Sequence, residues 1–220
     1  MKCFLDIDVG GSREAFKNAT EFVKSNNLKY RLSSDNILEL GGREILSLPQ
    51  LYASDFEWNQ RGRMQAKPQK KTRIVIELWP DVAPLACENF AALCTGEKGK
   101  AKGSSVPLHY RGSRLHRLIP NFILQGGDFV FNNGSGGESI WGKKFKDDPK
   151  ALKVKHDAKG LVSMGNAGKN ANTSQFFFTL SDKGAPKCDR KHAVFGRVIS
   201  GLDVLDLIER RHTAALATGS

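Results

Sequence analysis

Long hydrophobic runs are missing from this 220-residue chain; none approaches the ~18 apolar residues that a membrane-spanning helix needs. Paired cysteines are missing as well. Cys3, Cys87, Cys94 and Cys188 form no CxxC pair and fall at no Cys/His spacing that holds zinc. That excludes a zinc ribbon and a disulfide scaffold, and it predicts reduced thiols. There is no internal repeat and no low-complexity tract. Aromatic residues are not interleaved with the basic stretches, and no RNP-type pattern occurs, so the usual stacking platform for RNA is absent. The opening MKCFLDIDVGG is short and carries two acids. It is expected to be neither a secretory signal nor a transit peptide, which predicts a cytoplasmic protein and leaves the nucleus open.

What is present bounds the class. The length suffices for one ordinary domain with a real core, or one domain plus a small appendage, and an apolar share of 40% reads as globular. The net charge of +11 admits an anionic partner. The basic residues sit in loop-like stretches, 67–73, 97–103 and 143–156, mixed with acids. That texture fits a solvated basic surface better than a nucleic-acid groove.

CFLDIDVGG reads as a strand and turn. Ala15, Phe16, Ala19, Phe22 and Val23 recur at helical spacing behind Ser12, a candidate cap. LKYRL and ILEL are short strand candidates, and residues 49–61 read as a second helix entered at Pro49. Residues 64–71 look like a linker. The texture then changes. RIVIELW, LHYRGSRLHRLI, FILQGGDFV, GLVSMGN, SQFFFTL and HAVFGRVIS are short strands with Gly-rich turns between them. PDVAPLACENFAALCTG and GLDVLDLIERRH are helices. Many short strands with turn signals and two helices predict a mainly β fold class, a closed antiparallel β-barrel capped by two helices.

RLHRLIPNFILQGGDF, residues 114–129, carries the chemistry, yet no serine, cysteine or carboxylate in it is placed as a nucleophile. Strand alternation puts Ile123 and Gln125 on one side of FILQ. It likewise puts Gln175 and Phe177 on one face of SQFFFTL, with Phe176 and Phe178 toward the core. Pro120 bends the chain just after Arg117. The pattern suits a groove with one cation at its edge; it is equally compatible with a packed core and a surface ion pair. The loop 164–175, dense in Gly, Asn and Ser, exposes backbone groups that could bind an extended peptide or form an ordinary turn.

Six segments in order, FLDIDVGG, ENFAALCTGEKG, LHRLIPNFILQGGDF, NGSGGESIWGKKFKDD, GLVSMGNAGKNANTSQFFFTL and DRKHAVFGRVISGLDVLDLIE, resemble the cyclophilin family of peptidyl-prolyl cis-trans isomerases. The resemblance covers residues 3–11 and 73–209. It implies a cyclophilin-like barrel with a small α/β insertion near the N-terminus, that is, a first barrel strand in 1–11, an inserted module and linker in 12–71, the barrel in 72–212 and a tail in 213–220; it also implies Pro-containing peptides as substrates, and no metal or cofactor. Arg117 would be the catalytic arginine and Gln125 would steady it. Phe122, Ile123, Phe177 and His192 would line a proline pocket. Gly165, Asn166, Ala167, Gln175 and Cys188 complete the expected substrate-binding set, with Asn166 gripping the peptide backbone.

Three departures qualify the resemblance. Residues 12–71 stand where the family has a short turn; a helix–strand–strand–helix insertion is expected there, with a βαβ unit over residues 1–60 as the alternative. The sequence ends at HTAALATGS without a counterpart of the family's closing strand; either it stops short of that strand, or Leu28–Leu32 or Ile37–Leu40 substitutes for it, or the edge stays open. Lys187 and Cys188 stand where relatives place a tryptophan or another large residue and a leucine, which predicts weak binding of cyclosporin-type macrocycles. Cys94 matches a cysteine that one subtype oxidises, but its partner is missing, so no redox switch is expected. The leading function is prolyl isomerisation in folding or assembly. The competing one is a non-enzymatic Pro-peptide docking subunit of a larger assembly, a ribonucleoprotein included, with residues 12–71 as a protein-contact surface.

Overall fold

The computed structural model describes residues 1–68, 72–142 and 144–218, with side chains through Leu216. Gln69, Lys70 and Lys71 of the expected linker, Lys143 of the third basic stretch, and the last two tail residues lie outside the described residues. The chain divides into two compact units, one of Met1–Leu5 with Arg73–Ser220 and one of Asp6–Thr72.

The larger unit is built on one seven-stranded sheet. Its strands are β1 (Lys2–Asp6, whose last residue falls in the other unit), β2 (Arg73–Leu78), β3 (Arg117–Ile119), β4 (Ile123–Gly126), β5 (Leu161–Asn166), β6 (Asn172–Thr179) and β7 (Val194–Ser200), in the order β1-β2-β7-β5-β6-β4-β3. The pairings from β2 through β3 are antiparallel. β1 and β3 are the ends of that order, and no ladder joins them among the described residues. The expected closure of the barrel is thus not among the observed pairings; the sheet is a curled one with two edges.

Alternation builds its core. In β2, Ile74, Ile76 and Leu78 are buried while the residues between them are not. The first two helices lie in the smaller unit; α3 (Pro84–Thr95) and α4 (Leu202–Thr218) belong to this one. α3 starts at a proline, which loses no hydrogen bond there, and its Leu85 and Ala86 amides donate to the buried Asp148 carboxylate. Phe90 of α3 meets Tyr110, Phe176 and Phe195 with ring centroids 5.1–5.3 Å apart, and Phe178 is fully buried beside Phe176. α4 does not stop at residue 212; it continues through most of the expected tail. The 96–109 loop is held by Glu138, which accepts from the amides of Gly103 and Ser104 and from the Ser104 hydroxyl. Cys3 and Cys94 hydrogen-bond each other, and that contact brings the Cys3 thiol down to about 7. All four cysteines are free.

The smaller unit is helical among its described residues. α1 (Ser12–Asn26) and α2 (Gly42–Ser54) enclose Phe22, Val23, Ile37, Leu48, Tyr52 and Trp58. Asp8, not Ser12, caps α1 by accepting from the Arg13 amide at 3.1 Å; Ser12 donates to the Val9 carbonyl instead. α2 begins earlier than Pro49 because Glu44 accepts from the Gly41 amide, and it runs past the proline because Leu48 and Tyr52, four apart, are both in the core. The expected strands at Leu28–Leu32 and Ile37–Leu40 do not form: the first is a turn and the second a 3₁₀ turn. Among its described residues the insertion is therefore helical and not α/β, and the βαβ alternative over residues 1–60 falls with it. Asp55 is buried and accepts from Lys29 and Tyr30, both at 2.8 Å. These bonds, led by the one from Lys29, bring its carboxyl to about 2.

Candidate active site

The β3–β4 hairpin sets Arg117 opposite Gln125. The Arg117 guanidinium donates from Nη1 to Gln125 Oε1 at 3.4 Å, and Arg117 is otherwise exposed. Gln125 Nε2 donates to Gln175 Oε1 at 2.8 Å. Gln175 Nε2 donates in turn to the carbonyls of Gly134 and Gly136, at 2.9 and 2.7 Å. Two glutamines thus tie the arginine to a loop. That loop is fixed by the buried Asp128, whose carboxylate accepts from the amides of Val130, Phe131, Asn133, Gly134 and Gly136. Burial alone would raise the Asp128 carboxyl, but the amide donors outweigh it and hold it below the ordinary value. Gly127, with φ of 88°, lies so close to the Ser174 carbonyl that a Cβ would sit 2.4 Å from it, which requires glycine.

Beside the arginine lies an apolar wall. Ile123, Phe177, Ala185 and Cys188 pack together, with Ile119 and Phe122 half-buried against them. Phe177 stacks on His156 (centroids 5.7 Å apart, 16° between planes) and meets His192 edge-on at 5.3 Å. His192 Nδ1 lies 2.9 Å from the Met164 carbonyl, which only accepts, so Nδ1 carries the proton. Burial lowers the pKa of both His156 and His192 and keeps them neutral. His156 lies between Asp189, 3.0 Å from Nδ1, and Ser163, 2.9 Å from Nε2. That is the order of a hydrolytic triad, but Ser163 and His156 have no exposed surface, so no scissile bond can reach the hydroxyl. The trio instead fixes the face on which Phe177 stacks.

Not every expected residue joins this wall. Gly165 is buried against Gln175. Asn166 Nδ2 donates to the Lys191 carbonyl at 2.8 Å, and its Oδ1 accepts from the Gly168 amide at 3.2 Å, so the side chain braces two turns. Ala167 is exposed in the β5–β6 turn. Among the described residues, no group of three or more His, Cys, Asp or Glu side chains is placed to hold a metal ion. Among the described residues, no helix is long and apolar enough to cross a membrane.

Residues 63–218 match the family model of the cyclophilin type peptidyl-prolyl cis-trans isomerases. The chain belongs to the cyclophilin family. It is 54% identical over 137 residues to the peptidyl-prolyl cis-trans isomerase cyp11 of Rhizopus delemar. That stretch covers 62% of this chain and 39% of the relative's length, so the chain spans well under two thirds of that protein.

Within this cyclophilin, reading the sequence missed Asp128, His156, Ser163 and Asp189. A signal existed for Asp128: an acid a few residues ahead of the Asn/Gly/Ser-rich stretch 132–137 is placed to collect that loop's amides. His156 gave none, because its neighbours Ser163, Phe177 and Asp189 come together only through the sheet and the 185–192 turn.

Proposed function

We propose that this chain catalyses rotation about X-Pro peptide bonds, with Arg117 at the reacting nitrogen. The observation that carries the reading is the Arg117 guanidinium, anchored through Gln125 and Gln175, at the edge of the Ile123–Phe177 wall. The apolar wall of Ile123, Phe177 and Cys188, with Phe122 and His192, takes the prolyl ring and holds it still. The carbonyl side of the substrate then turns. Twisting an amide meets a barrier of about 18–20 kcal/mol because N–C=O resonance is lost. As it is lost, the prolyl nitrogen regains a lone pair, and a guanidinium N–H aimed there binds the twisted state better than either planar state. Lowering the barrier by about 7 kcal/mol corresponds to a rate gain of roughly 10⁵, within reach of such donors in a desolvated site. No covalent bond is made or broken. Asn166, Gly165 and Ala167 border the path of the peptide backbone.

Refolding of a protein whose slow phase is X-Pro isomerisation tests this. The account expects catalytic amounts of this chain to shorten that phase from its usual tens to hundreds of seconds, and expects Arg117→Ala to leave it slow. An unchanged slow phase with the folded wild-type chain contradicts it. Weak binding of cyclosporin-type macrocycles belongs to the same reading, because Lys187 offers a flexible ammonium where relatives place a large flat side chain. A second role in docking is favoured by Leu28, Leu38, Leu46 and Phe56, large apolar residues that are 70–88% exposed on the smaller unit.

A further inference from the structure

The turn from Ala185 to His192 supplies three residues of the pocket, Ala185, Cys188 and His192. Between them Lys187, Arg190 and Lys191 are exposed. The turn holds its shape: it begins as a 3₁₀ turn at Pro186–Cys188, the amides of Lys191 and His192 both return to the Cys188 carbonyl, and Arg190 takes a left-handed φ of 61°. Its one acid faces inward. Asp189 accepts from the His156 amide at 2.8 Å and pairs with the His156 ring. None of the ion pairs among the described residues engages Lys187, Arg190 or Lys191. Lys187, Arg190 and Lys191 therefore flank Cys188 and lead up to His192, and the turn's own carboxylate, Asp189, is committed to the interior.

An extended peptide advances ~3.3 Å per residue. With its proline against Cys188 and His192, the residues next to that proline pass along this rim. We propose, on the reading of the site as a prolyl isomerase, that the pocket selects X-Pro segments with aspartate or glutamate beside the proline. Exposed pairs are individually weak, but three cations of one sign act together on one short segment, and the preference is carried by binding rather than by the twisting step.

Exchange NMR on three peptides that share an Ala-Pro core tests it, with both flanking positions Glu, Gln or Lys. At low salt the Glu peptide is expected to exceed the Lys peptide in kcat/KM by about tenfold, mostly through KM, with the Gln peptide between them. The gap narrows as the Debye length falls from about 30 Å at 0.01 M to about 8 Å at physiological ionic strength. The triple change Lys187→Glu, Arg190→Glu and Lys191→Glu is expected to invert the order of the Glu and Lys peptides. Equal values for the two peptides, an order that survives the charge reversal, or tighter binding of a single-stranded oligonucleotide than of the Glu peptide at this rim would overturn the proposal. If no peptide is isomerised, the isomerase reading fails separately. The rim is then judged by calorimetric dissociation constants for the same peptides, where equality overturns it and a reversible Glu preference upholds it.

Discussion

Gln175 does not reach the twisting bond on the proposed mechanism, yet it holds the far end of the chain of hydrogen bonds that aims Arg117. Gln175→Ala removes one partner of Gln125 and frees the guanidinium to wander. A neutral hydrogen bond is worth about 1 kcal/mol, so kcat/KM is expected to fall several-fold to about tenfold, mainly in kcat, with the far-UV spectrum unchanged. An effect confined to KM would place Gln175 against substrate instead. The two histidines beside Phe177 make a second prediction at this scale. Burial depresses both, so the unfolded chain, titrating near ~6.5, takes up protons before the folded one does. Their contribution to stability is complete above that pH and is lost as pH falls through the lower folded values. The melting temperature should lose nothing to these groups above pH ~7 and should decline below ~6.5. Histidine ring resonances for His156 and His192 that titrate above ~6.5 would contradict this.

At the scale of elements, the loop after β4, to which Gln175 is tied, is held by one carboxylate. Asp128→Asn keeps one acceptor oxygen and loses the charge that five amides share. Destabilisation of about 2 kcal/mol or more is expected in urea unfolding, along with loss of activity as the Gly134 and Gly136 carbonyls move away from Gln175. Unchanged stability would mean the loop does not need the charge. How far elements could be read from sequence followed from where their backbone bonds go. Ile74–Leu78 and Gln175–Phe178 alternate and find neighbours in the sheet, so both were legible as strands. LKYRL also alternates, but its amides are satisfied locally, Tyr30 to the Asn26 carbonyl and Leu32 to Asn27, and Arg31 breaks the extended path with φ of 53°. ILEL turns back through Glu39 to the Asn36 carbonyl. A pattern of period two marks a strand only where a partner edge exists, and these segments have none. Alternation alone put Ile123 with Gln125 and Gln175 with Phe177 on single faces; that Gln125 steadies Arg117 and that Ile123 and Phe177 share a wall was expected from the family resemblance, and the hairpin register and the β4–β6 pairing are what bring them together. The Asp189–His156–Ser163 trio was not legible, because nothing local requires it.

At the scale of the molecule, each unit has its own core. Phe22 lies 5.3–5.6 Å, ring to ring, from Tyr30, Tyr52 and Trp58, and no ring of the larger unit figures in that cluster. Phe22→Ala is expected to cost about 3–5 kcal/mol in the 6–72 unit. Hydrogen exchange should then accelerate there and not in β4–β7. Acceleration throughout both units would show that they unfold as one. The central claim is that a guanidinium held by two glutamines catalyses a rotation, and exchange NMR on an Ala-Pro peptide with the wild-type chain and with Arg117→Ala tests it most directly. The account predicts cis–trans exchange cross-peaks that grow with wild type and fall by at least about a hundredfold in rate with the folded variant, the size expected for removal of one transition-state donor. Equal exchange from both proteins would contradict it.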